Sequence, residues 1–126
     1  MPKDDWGGRI RWDVHVRDGC RCVYCDLDMA TLKRWDLFTN DHLVPKKKSG
    51  PYERQNLVTA CLGCNQLKGS FDPTNNGTDT LTDESRGRLI QRAKDHIEAK
   101  RRMWDADFQE MLSETARQSS LSKQSK

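Results

Sequence analysis

The sequence predicts a small α+β domain, stapled by a metal and flanked by a short N-terminal and a long C-terminal helix. Three observations predict it. Four of the five cysteines fall in two Cys-x-x-Cys pairs, Cys22/Cys25 and Cys61/Cys64. Between the pairs lie short stretches rich in β-branched and large apolar residues, the composition of strands. Beyond residue 82, apolar residues recur at roughly three- and four-residue multiples, the stripe of an amphipathic helix.

The elements follow in order. Residues 1–8 read as a loose arm. Ile10, Trp12 and Val14 give a helical pattern over Arg9 to Arg17, which Asp18-Gly19 ends because glycine tolerates the left-handed conformation at a helix C-terminus. Cys22 to Cys25 forms a turn. Residues 29–36 fit either one helical turn or a loop. Leu37-Phe38-Thr39 and His42-Leu43-Val44 read as two extended pieces, the second stopped by Pro45. Residues 46–55 are a loop by their Ser-Gly-Pro content. Asn56 to Ala60 returns as a strand beside the first, and Leu62 to Lys68 turns helical up to Gly69. Thr82-Asp83-Glu84 caps a long helix. Its stripe is Leu89, Ala93, Ile97, Trp104, Phe108 and Leu112, and it ends near residue 116 or breaks near Asp105. The Ser- and Lys-rich stretch 118–126 reads as a disordered tail.

A chain of 126 residues suits one domain. With 34% hydrophobic and 33% charged residues its core is thin, and thin cores use staples. No apolar N-terminal run suggests a signal peptide or a membrane span. Paired cysteines with metal spacing fit a reducing, cytoplasmic setting. The net charge of +3 permits nucleic acid binding without arguing strongly for it.

Two Cys-x-x-Cys turns supply the four thiolates of a tetrahedral zinc site. Cys22, Cys25, Cys61 and Cys64 would close it, leaving no position for substrate, so this zinc is structural. Cys20 is the odd cysteine and reads as a small apolar filler.

A second constellation lies between and upon the cysteine turns. Hydrolysis of a phosphodiester needs a base for the attacking water and positive charge for the leaving oxygen. An imidazole suits the first role near neutral pH. A carboxylate with a neutral oxygen donor holds a hard divalent cation for the second. His42, Asp41 and Asn65 provide those parts. Asn65 and Lys68, three apart, share a helix face. Each residue also has a plainer reading: Asn56 as a turn residue, Asn65 as a helix cap, Lys46, Lys47, Lys48 and Lys68 as solvated charge. His15 and His96 read as helix-surface residues.

The combined pattern is Cys22-x-x-Cys25, Asp41-His42-x-x-Pro45, Asn56-Leu57-Val58 and Cys61-x-x-Cys64-Asn65-x-x-Lys68-Gly69, with Arg17-Asp18-Gly19 as lead-in. It resembles the HNH endonucleases, over about 48 of 126 residues. The resemblance implies a ββα-metal (His-Me finger) core within a nuclease domain at 9–72, with a helical extension at 73–117. It implies His42 as general base, Asn56 as the residue that braces the loop and orients His42, and Asp41 with Asn65 on the catalytic metal. Asn65 stands where the last His of the motif often stands; two oxygen donors favour Mg2+ or Mn2+. It implies cleavage of double-stranded DNA, by nicking or through both strands, to 5′-phosphate and 3′-hydroxyl ends. Phosphate contacts would come from Lys46, Lys47, Lys48, Arg54 and Lys68, in a monomer or a homodimer. The competing reading is a zinc-stapled nucleic-acid-binding module without chemistry.

Overall fold

The computed structural model describes residues 8–124. Its elements are α1 (Arg9–Arg17), α2 (Met29–Leu32), β1 (Phe38–His42), β2 (Leu57–Cys61), α3 (Leu62–Lys68) and α4 (Arg86–Gln124). The two strands pair antiparallel with Phe38 opposite Cys61 and His42 opposite Leu57. The expected α+β architecture, two strands followed by a helix and closed by four cysteines, is what the chain forms. The arm expected over residues 1–8 lies, apart from Gly8, outside the described residues.

α1 ends where Gly19 enters the left-handed region at φ 69°. The segment after it ties down β2. Arg17 donates to the carbonyls of Arg54 and Leu57, both at 2.6 Å, and Asp18 accepts from the Thr59 amide at 2.8 Å. In α2, Asp28 caps the helix by accepting from the Ala30 amide, so residues 29–32 are a helical turn.

Two extended pieces expected around Asn40-Asp41 are one strand. Asn and Asp are poor strand formers in isolation, but here Asn40 and Asp41 pair with Thr59 and Val58 of a strand buried at every residue. Tertiary pairing overrides local preference. Leu43 and Val44 then leave the ladder for a bend, and Gly50 folds back against it. A Cβ at Gly50 would lie 1.7 Å from the Val44 carbonyl oxygen, so no larger residue fits.

The core joins Tyr24, Phe38, Leu43, Val58 and Ala60 to Leu89, Ala93 and Ile97 of α4. The first half of α4 is thus part of the domain. Thr82 and Ser85 cap it reciprocally: the Ser85 amide donates to Thr82 Oγ1 at 3.0 Å, and the Thr82 amide donates to Ser85 Oγ at 2.8 Å. The second half differs from expectation. Instead of stopping near 116 and giving way to a tail from 118, α4 continues unbroken to Gln124. No Gly or Pro interrupts residues 88–124, and Gln118 donates to Glu114 one turn earlier. Every residue from Arg101 to Leu121 is exposed, including Trp104, Phe108 and Leu112 of the stripe. Among the described residues, no helix is long and apolar enough to cross a membrane.

Candidate active site and metal centre

The Sγ atoms of Cys22, Cys25, Cys61 and Cys64 all lie within 4.8 Å of one another, and Cys25 and Cys61 are 3.8 Å apart. A tetrahedron with zinc–sulfur bonds of about 2.3 Å has edges of about 3.8 Å, so the four sulfurs fit a structural zinc. All five cysteines are free thiols. Hydrogen bonding from Cys22 and Cys64 pulls the Cys61 thiol strongly towards the thiolate. Arg101 reaches the cluster from α4 and donates to Cys64 Sγ at 3.1 Å. Cys20 takes no part in the cluster. It packs partly buried against the core, as a filler would.

Beside this centre, at the junction of β1 and α3, opens a cleft of about 420 Å³. Asp41, His42, Pro45, Lys46, Lys47 and Asn65 contribute to its wall. β1 delivers Asp41 and His42; α3, launched directly from the second cysteine turn, delivers Asn65. The amide of Asn65 donates to Thr39 Oγ1 at 3.0 Å, which in turn donates to the Ala60 carbonyl. That chain pins the amide nitrogen to the sheet, so the amide oxygen is the atom of Asn65 that could hold a cation.

Asp41 is 7% exposed. Its Oδ2 accepts from the Tyr24 hydroxyl at 2.7 Å and pairs with Lys68 Nζ at 3.3 Å. Lys68 also donates to the His42 carbonyl at 2.9 Å. Burial raises the Asp41 carboxyl and lowers the Lys68 ammonium, while the ion pair between them opposes both shifts. Burial, reinforced by the Asp41 charge, raises the Tyr24 phenol well above its ordinary value. His42 is half-buried, with its ring 6.0 Å from that of Tyr52. Burial lowers its pKa first, Lys46 adds to the shift, and Asp41 opposes it.

Asn56 is fully buried. Its Oδ1 accepts from the Val44 amide at 2.8 Å, and its Nδ2 donates to the carbonyls of Val44 and Pro51. Its carbonyl accepts from the Leu43 amide. The two residues after His42 are thereby fixed by one residue, Leu43 by its backbone carbonyl and Val44 by its side chain.

The basic residues divide. Lys46 and Lys47 are exposed at the cleft. Lys48 is exposed but donates to Asn76, and Arg54 is exposed but paired with Asp13 at 2.8 Å. Lys68, expected as a phosphate contact, is 1% exposed and faces Asp41. A residue on the inner face of α3 has the carboxylate as its neighbour, not solvent. His15, expected at the surface, is buried and hydrogen-bonded to Thr59 Oγ1 at 2.8 Å. His96 stacks on Phe71 with centroids 4.1 Å apart. Tyr24 and Thr39 were not legible as site residues. For Tyr24 the signal was its place between two zinc-ligand cysteines, which fixes its backbone.

This arrangement agrees with a comparison of the chain with known proteins: residues 22–71 match the model of the HNH endonuclease family. Residues 22–71 are similar to an HNH endonuclease domain. The HNH stretch is also similar to the CRISPR-associated endonuclease Cas9 of Corynebacterium diphtheriae, with 36% identity over 64 residues. That match takes in 48% of this chain but only 5% of the Cas9. The HNH cleft is therefore assembled from strand β1, helix α3 and the two cysteine turns that hold them together.

Proposed function

We propose that the protein is a metal-dependent endonuclease that hydrolyses phosphodiester bonds of double-stranded DNA. The observation that carries this reading is the convergence of Asp41, His42 and Asn65 on one cleft, with Lys46 and Lys47 in its wall. A module that only bound nucleic acid would have no use for a carboxylate, an imidazole and an amide gathered at one cleft.

His42 takes the proton of the attacking water. With its pKa lowered by burial and Lys46, the imidazole is neutral at pH 7 and has an acceptor nitrogen. Asn56 holds the Leu43-Val44 bend and so keeps the His42 backbone in register. Asp41 and Asn65 supply two oxygen donors, a set that suits Mg2+ or Mn2+ better than zinc. Such a cation, when bound, stabilises the charge developing on the scissile phosphate and leaving oxygen. Lys46 and Lys47 attract the backbone phosphates without reading sequence. One cleft cuts one strand, so a monomer nicks.

The test is incubation of supercoiled plasmid with Mg2+ or Mn2+, beside His42→Ala and Asp41→Ala. Nicked circles from the wild type alone are expected. Cutting by both variants, or a salt-sensitive gel shift with no cutting by the wild type, would overturn the assignment.

A further inference from the structure

The first cysteine turn and the catalytic carboxylate meet through one phenol. Tyr24 is 1% exposed and stands between Cys22 and Cys25, two ligands of the zinc site. The turn is held a second way, because the Val23 amide donates to the Thr59 carbonyl of β2 at 2.9 Å. The Tyr24 backbone therefore has little freedom, and its rigid ring carries that constraint to Asp41 Oδ2, 2.7 Å from the hydroxyl. Lys68 approaches the same oxygen from α3. Both donors fall on Oδ2, which leaves Oδ1 of a carboxylate in the cleft wall for a cation.

We propose that Tyr24 is a positioning residue for the catalytic divalent metal, through which the zinc turn fixes the Asp41 carboxylate in its metal-binding orientation. The proposal rests on the reading of Asp41 as a ligand of that metal. A carboxylate on an otherwise unsupported side chain rotates about two bonds, and each orientation that turns Oδ1 from the cleft is lost to binding. Hydrogen bonds to the second oxygen of a ligating carboxylate remove that freedom, and losing such a partner typically weakens metal binding about 10- to 100-fold. The phenol does this without entering the cleft, so it leaves the cation's remaining positions to water and phosphate.

The experiment titrates Mn2+ into full-length protein and reads free Mn2+ by its electron spin resonance signal, with zinc content measured in parallel. The variants are Tyr24→Phe, Asp41→Ala and Leu89→Ala; the last weakens the core on α4, away from the cleft. Tyr24→Phe is expected to keep its zinc and to bind Mn2+ about tenfold more weakly, with cleavage restored at saturating Mn2+. Asp41→Ala is expected to lose the Mn2+ site, and Leu89→Ala to bind Mn2+ as the wild type does. If Tyr24→Phe does not fold, 4-fluorophenylalanine at position 24 fills the hydroxyl's space without donating, and the same weakening is expected. Wild-type Mn2+ affinity without the hydroxyl, while Asp41→Ala binds none, would overturn the role of Tyr24 alone. Equal weakening in Leu89→Ala would overturn it too, as general loosening. Wild-type binding by Asp41→Ala would remove the reading of the metal site on which it rests.

Discussion

Arg101 of α4 donates a hydrogen bond to Cys64 Sγ at 3.1 Å, so a helix distant in sequence from both cysteine turns places a guanidinium against the metal-binding sulfurs. Four thiolates around one zinc carry a net charge of −2, and a fixed cation offsets part of it. The sulfur contact in turn raises the Arg101 pKa. Arg101→Ala is expected to leave the fold intact and to speed zinc release to a chelator by on the order of tenfold, read with a colorimetric zinc indicator. Release at the wild-type rate would show that the contact contributes packing only.

Cys61 ends β2, begins α3 and belongs to the metal cluster. A substitution there removes a zinc ligand and loosens the junction of both elements at once. Since metal binding in such sites is folding free energy, Cys61→Ser is expected to yield insoluble or largely unfolded protein. Stripping zinc from the wild type with a strong chelator is expected to abolish its cooperative melting transition. Circular dichroism checks both; an unchanged melting profile in either would contradict the role given to the cluster.

Asn56 makes three side-chain hydrogen bonds while fully buried. In Asn56→Ala the Val44 amide keeps no acceptor there, and a buried unsatisfied group costs about 1–3 kcal/mol. A loss of about 2–3 kcal/mol in urea unfolding is expected, together with a fall in cleavage larger than the unfolded fraction explains. That excess separates bracing of His42 from stability alone.

His15 gives a pH dependence. Burial chiefly, with the charge of Arg11, pulls its pKa from 6.5 to about 4. Above 6.5 the imidazole is neutral in both the folded and unfolded chain, and its contribution to stability is intact. Between 6.5 and about 4 only the unfolded chain takes up the proton, so stability falls as the pH drops through that window. Thermal melts from pH 8 to pH 4 are expected to show this decline, with a shallower slope in His15→Gln. Equal slopes would place the titration elsewhere.

Much of this molecule can be read from residue types at fixed spacings, because a four-cysteine cluster imposes its spacing directly. The four cysteines, the strand–helix succession from Leu57 to Lys68, and the joining of Asp41, His42 and Asn65 are of that kind. The bracing role expected of Asn56 came from family resemblance alone; the residues themselves did not reveal its bonds to Val44 and Pro51. What escaped depends on which way a side chain turns. Lys68 shares a helix face with Asn65, as its spacing implies, yet its ammonium ends under the sheet on Asp41. Nothing in a lysine's own neighbours distinguishes that from a solvated charge. His15 sits on a helix whose weak periodicity does not reveal that Thr59 lies opposite. The unbroken strand through Asn40-Asp41 was hidden because the pairing with β2 outweighs the poor strand preference of both residues.

The exposed half of α4 has a mechanical meaning. From Arg102 to Gln124 the helix runs 23 residues, about 35 Å at a rise of about 1.5 Å per residue. That is close to one full turn of duplex DNA, about 34–36 Å. A straight helix keeps its length, where a flexible tether of the same residues would not. Anything attached to the far end of α4 would sit at a set distance from the cleft.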